Sequence, residues 1–169
     1  MSRSLCRGSA SRRTEEADVR LITETIEAVF ERVPVLVGRL RPLVPEGTSP
    51  EAIVAAARAI IDSLPEPDRM RILDAHPRIG ADPASLSTLS RDEQGGGDDP
   101  ETLRELAALN DEYERRYGFR FVVFVAGRSK AEILPVLRER LGRTRERELA
   151  AGLDEFLRIS QDRLRRSAD

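Results

Sequence analysis

A chain of 169 residues can bury one hydrophobic core without a metal or disulfide staple, and a single domain is the simplest reading of that length. Twenty-eight basic against thirty acidic residues leave a net charge of −2, which excludes a global field for nucleic acid or membrane and leaves small neutral or anionic ligands as partners. One cysteine, Cys6, and one histidine exclude a disulfide framework and any zinc spacing, pointing to a reducing, cytoplasmic setting without metal.

Residues 1–15 are basic and serine-rich with no apolar run, so they read as a disordered tail rather than a signal or a span; residues 16–169 form the domain. Val19, Ile22, Ile26, Val29, Phe30 and Val33 recur at helical spacing behind Thr14 as cap and predict a first helix ended by Pro34. Val35 to Leu43, with Gly38 and Pro42 inside, permits a short helix and a turn. Ser49-Pro50-Glu51 supplies a cap, a first-position proline and an acidic first turn, which predicts a helix over 50–63. Pro65 and Pro67 restart the chain into a short helix carrying Met70, Ile72 and Leu73. It ends near Ala75, because Pro77 disfavours helical dihedrals at His76.

Residues 77–89 mix Pro, Gly, Ser and Asp without period and read as a loop, followed by a polar turn at 90–94. Ser90 and Glu93 have capping-box spacing there, and Gly95, Gly96 and Gly97 restrict any helix begun at Ser90 to about a turn. Asp99-Pro100-Glu101 opens a helix bearing Leu103, Leu106, Asn110, Tyr113 and Tyr117, with Gly118 as its stop. Phe119 to Ala126, FRFVVFVA, favours extended backbone. With no second convincing strand to pair with, it predicts a buried extended segment whose amides are available to a ligand.

Ser129-x-x-Glu132 caps a helix through Leu141 that Pro135 should kink and Gly142 close. Thr144 caps the last helix, whose apolar face is Leu149, Leu153, Phe156, Leu157, Ser160 and Leu164. The elements sum to an all-α, single-domain bundle of about seven or eight helices around one extended segment, about 119–126.

His76 is the one side chain whose ordinary pKa lies near neutrality, which makes it the candidate general acid or base. It also reads as a plain helix C-terminus, and Glu93 as a plain capping residue; seventeen residues of separation establish no contact between them.

Taken in series, AHPRIG at 75–80, SRDEQ at 90–94, Asn110-x-x-Tyr113, YGFRFVVFVAGRSKAEIL at 117–134 and the terminal QDRL resemble one family. Over roughly residues 20–166 the chain is similar to the decarboxylases of 2-oxo-4-hydroxy-4-carboxy-5-ureidoimidazoline (OHCU), enzymes of urate breakdown. The resemblance implies a helical, cofactor-free, metal-free homodimer that releases CO2 from that small molecule and forms (S)-allantoin. It implies His76 as catalytic acid, Glu93 as its acidic partner, and Arg163 as the group meeting the substrate carboxylate, with Arg158 as rival. Pro77, Ser90, Arg91, Asp92 and Gln94 would line the pocket, and Phe119, Arg120, Phe121, Val122 and Val123 would offer backbone hydrogen bonds to the ureido and ring groups. The glycine triplet, Val35 in place of a tryptophan and Arg120 in place of a proline depart from the family's usual pattern. The alternatives are a binding protein of the same fold that keeps the pocket without turnover, and a plain interaction module.

Overall fold

The computed structural model describes residues 25–45, 47–95 and 99–168. The expectations for the tail, Cys6, Thr14, Val19, Ile22, Gly96 and Gly97 lie outside the described residues. The described helices are α1 (25–29), α2 (Pro34–Leu40), α3 (Pro50–Ser63), α4 (Glu66–Ala75), α5 (Thr88–Gln94), α6 (Pro100–Tyr117), α7 (Lys130–Arg140) and α8 (Arg145–Ala168). Short 3-10 turns occupy Arg41–Leu43 and Pro83–Ser85, and no strand occurs among the described residues.

Local chemistry explains most of these boundaries. Ser49 Oγ accepts from the Ala52 N–H with Pro50 in the first turn of α3, and Ile53, Ala57, Ile60 and Ile61 turn one buried stripe inward. Asp99 caps α6 through the Glu101 and Thr102 amides, and Gly118, at φ +80°, closes it in the left-handed conformation. Ser129 and Glu132 form a reciprocal capping box on α7, which continues through Pro135 to Arg140. Thr144 Oγ1 accepts from the Arg147 N–H at the start of α8.

Two boundaries differ from expectation. Pro34 opens α2 as its first residue, and the chain turns between α1 and α2 at Arg32, φ +63°. A proline without an N–H is as well suited to beginning a helix as to ending one. Ser90 does not cap α5; Ser87 does, accepting from the Ser90 N–H at 3.2 Å, so the helix starts earlier and runs two turns. Ser90 is then buried one turn inside, its hydroxyl donating to Glu31 at 3.1 Å.

Helix α8 is the spine. It packs against α3, α4 and α6, while α2 covers α3 and α7 lies on α6. At Gly152 a Cβ would stand 2.9 Å from Leu73 Cδ1, so α8 and α4 meet with little space between their backbones. That approach carries the end of α4, and His76 with it, onto Phe156 of α8.

Residues 119–125 are extended and largely buried without being paired as a strand; Ala126, expected in the same segment, is instead an exposed turn residue at φ +52°. Side chains from α7, α8 and the loop before α7 satisfy the backbone instead. Arg140 Nη1 donates to the Val122 carbonyl at 2.8 Å, the Phe124 N–H donates to Glu155 at 2.7 Å, and Arg128 donates to the Phe124 and Val125 carbonyls. Arg140 is itself held by Glu148 at 2.7 Å, and Tyr113 donates to the same carboxylate at 2.6 Å. All three side chains are buried.

Candidate active site

His76 occupies the C-cap of α4 with extended dihedrals, φ −74° and ψ 139°, as the following Pro77 requires. Its ring meets Phe156 edge-on, 6.1 Å between centroids. Beyond it opens a cavity of about 320 Å³, walled by the α5 residues Asp92, Glu93 and Gln94, the extended residues 121–125 with the turn at Ala126 and Gly127, and Ile159, Asp162 and Arg166 of α8. His76, Pro77, Asp92, Glu93, Gln94, Phe121, Val122 and Val123 therefore stand together on one cavity.

Burial pushes the His76 pKa down to about 3, because a desolvated imidazolium loses its hydration; the charges of Arg163, Arg32 and Arg120 act in the same direction. The imidazole is neutral at neutral pH. No hydrogen bond from the described residues reaches its ring.

Glu93 does not partner that ring. Its two oxygens receive Arg163 Nε at 2.6 Å and Nη2 at 2.8 Å in a bidentate pair. Arg163 Nη1 donates to the Val29 carbonyl at 3.1 Å, Nη2 also reaches Ser90 Oγ at 3.3 Å, and Glu31 stands 3.6 Å away. At 2% exposure a guanidinium must have its charge and its donors satisfied from within, and these groups do so. Arg163 thus lies behind the wall, not on it, which departs from its expected contact with substrate. The rival Arg158 is exposed, paired with Glu155 at 3.0 Å, and also lies off the cavity.

Four further expected residues serve the frame. Ser90 sits in the Arg163 cluster; Arg91 donates to the Pro83 and Leu86 carbonyls; Phe119 is core; Arg120 gives its N–H to Asp74 at 3.0 Å. Gln94 borders the cavity, but its amide joins the Arg78 carbonyl and the Gly80 N–H, fastening the loop after His76 to α5. Lys130 Nζ donates to the Gln94 carbonyl at 3.1 Å, a cation at the C-terminus of α5.

Sequence reasoning missed Ile159, Asp162 and Arg166 on the wall, and covered Phe124 and Val125 only as part of the extended segment. The signal was present in α8: positions 159, 162 and 166 form one stripe at helical spacing, beside the stripe of Phe156, Ser160 and Arg163. The N–H groups of Val123 and Val125 and the Val123 carbonyl find no partner among the described residues, so a ligand could pair with them. Among the described residues no three His, Cys, Asp or Glu side chains gather into a metal site.

A family model described as OHCU decarboxylase matches residues 15–165. The 2-oxo-4-hydroxy-4-carboxy-5-ureidoimidazoline decarboxylase of Amia calva is 33% identical over 148 residues, 83% of this chain and 84% of that protein. The uric acid degradation bifunctional protein PucL of Bacillus subtilis is 26% identical over 152 residues, 88% of this chain, which spans only 31% of that relative's length. A crystal structure of an OHCU decarboxylase in the presence of (S)-allantoin superposes with a TM-score of 0.65 at 24% identity, covering 79% of this chain and 91% of that one, and shows the same fold. With nearly the whole described bundle inside the matched span, the chain belongs to the OHCU decarboxylase family.

Proposed function

We propose that the protein is a carboxy-lyase that removes CO2 from 2-oxo-4-hydroxy-4-carboxy-5-ureidoimidazoline to give (S)-allantoin in urate breakdown. The observation that carries this reading is the pairing, on one cavity, of a neutral imidazole with a wall of unpaired backbone donors and acceptors. A ureido group and a ring lactam present alternating N–H and C=O groups, which an extended backbone such as Phe121–Val125 matches edge to edge. Family membership and the decarboxylase of Amia calva support the same substrate.

The substrate carries its own electron sink, a C=N bond beside the carbon that bears the carboxylate. When the C–CO2 bond breaks, the electron pair stays on the ring and spreads into that C=N, so the protein supplies no cofactor. The protein's tasks are orientation, charge stabilisation and one proton delivered to one face. Burial, and after it the positive charges of Arg163, Arg32 and Arg120, keep His76 neutral, and the same charges favour an anion beside it. Once the anionic substrate is bound, its charge opposes those arginines and lets the imidazole take up the proton that it hands to the ring carbon. Glu93 acts through Arg163, holding that charge behind the wall.

The same reading makes the protein a cytoplasmic homodimer. The exposed Val35 and Leu43 on α2 and the turn after it support a dimer face. The single cysteine supports a reducing compartment, and no helix among the described residues is long and apolar enough to cross a membrane.

Circular dichroism of the product tests the chemistry. Wild-type protein should release CO2 and yield optically active allantoin, whereas His76→Asn should lose about 10²-fold in rate, with residual product near racemic. A variant that matched the wild-type rate and handedness would remove His76 from the mechanism. Ligand binding without CO2 release would favour the non-catalytic alternative.

A further inference from the structure

The peptide between His76 and Pro77 has no N–H, so the His76 carbonyl is the only polar group by which the surrounding protein can grip it. Arg120 Nη1 grips it at 2.9 Å. The grip is anchored at its other end, because the Arg120 N–H donates to Asp74 Oδ1 at 3.0 Å. Two bonds thus staple Arg120, beside the wall residue Phe121, across the end of α4, one on each side of Ala75. The staple matters because the imidazole meets the edge of Phe156 but receives no hydrogen bond on its ring from the described residues. Arg120 does not border the cavity, and its N–H is already committed, so it has no direct route to a ligand.

We infer that Arg120 is a positioning residue: through the His76 carbonyl it fixes the direction in which the imidazole enters the cavity, and it couples that direction to the extended wall that holds the substrate. This rests on the decarboxylase reading only for its consequence in turnover. The geometric claim stands without it. Arg163 from α8 and Arg32 from the turn after α1 also act on the ring, and Asp92, Glu93, Asp162 and Arg166 share its cavity. Arg120 differs from them in holding the His76 main chain directly.

Because His76 is the only histidine, protein labelled with carbon-13 at histidine Cε1 gives a single imidazole cross-peak that reports on this ring alone. Arg120→Met keeps the aliphatic stem and removes the donors and the charge; Arg120→Lys keeps the charge and one donor. The expected result is a displaced cross-peak in Arg120→Met, a titration midpoint moved up toward the ordinary imidazole range, and a partial return of both in Arg120→Lys. In turnover, Arg120→Met should lower kcat by about tenfold to a hundredfold with KM nearly unchanged, and the allantoin should lose handedness, as a misdirected proton donor would cause. Asp74→Ala, an exposed change that loosens the same staple from its other end, should displace the peak in the same direction by less and covers the case of an Arg120→Met chain that does not fold. A wild-type peak position and titration in both Arg120→Met and Asp74→Ala would overturn the inference. If the wild-type protein released no CO2, the decarboxylase reading would fail while the cross-peak still decided the role of Arg120.

Discussion

At the scale of single residues, His76 links burial to pH. Its ordinary pKa of 6.5 falls to about 3 in the folded protein, so between those values the unfolded chain holds a proton that the folded chain does not. Stability is therefore unaffected by this group above about pH 6.5 and is lost as pH falls toward 3, at up to about 1.4 kcal/mol per pH unit. Urea denaturation at pH 6.5 and pH 4.5 should show wild type losing about 1–3 kcal/mol more than His76→Asn across that interval; parallel losses would mean a ring solvated in the folded state. Glu93 and Arg163 make a second residue-scale case. Glu93→Gln leaves a guanidinium buried with only Glu31 near it and should cost about 3 kcal/mol, seen as a melting temperature lowered by roughly 10 °C. Arg166, on the wall and paired with Asp162, should behave differently. Arg166→Gln is expected to raise KM roughly fivefold with kcat and melting temperature retained, and an unchanged KM would place the substrate carboxylate away from α8.

At the scale of elements, α5 is short, and what secures it lies at its two ends. Ser87 Oγ both accepts from the Ser90 N–H and donates to Glu31 at 2.9 Å, so Ser87→Ala should destabilise by about 1 kcal/mol and loosen the helix that carries Glu93. Thermal denaturation with ligand present and absent would separate the two effects, since a loosened α5 weakens ligand stabilisation beyond the loss of the cap. The crossing of α4 and α8 is equally specific. Gly152→Ala would press a methyl group into Leu73 of the core and should cost about 1–3 kcal/mol, with activity falling as the end of α4 shifts. A fully stable, fully active variant would show that the two helices can part without moving His76. The extended wall obeys a third logic: Arg140 of α7, Glu155 of α8 and Arg128 of the loop before α7 satisfy its backbone on one side and leave the cavity side open.

At the scale of the whole molecule, one long helix gathers the rest, and the cavity forms where four pieces distant in sequence converge: the end of α4, α5, the extended segment and the C-terminal half of α8. Function then depends on the bundle being intact, because no piece holds a complete site. Sedimentation equilibrium should give a mass twice 18.9 kDa, reduced to the monomer by replacing Val35 and Leu43, 53% and 58% exposed, with glutamate. A wild-type monomer at every concentration would dispose of the dimer.

The sequence by itself determined the elements whose causes are local. Caps, prolines and glycines placed α3, α4, α6 and the start of α7 where the structure has them, because those signals act within one turn of backbone. It also marked FRFVVFVA as extended but unpaired, from composition and the lack of a second strand, and the motif series identified the family. The tertiary structure alone decided which serine capped α5: the capping-box spacing to Glu93 pointed to Ser90, but Arg163, far away in sequence, takes the Glu93 carboxylate and reaches the Ser90 hydroxyl, and Ser87 caps instead. It likewise decided that Glu93 faces Arg163 rather than His76. A buried guanidinium attracts the carboxylate that its neighbours bring within reach, and that proximity is a property of helix packing that no spacing along the chain contains.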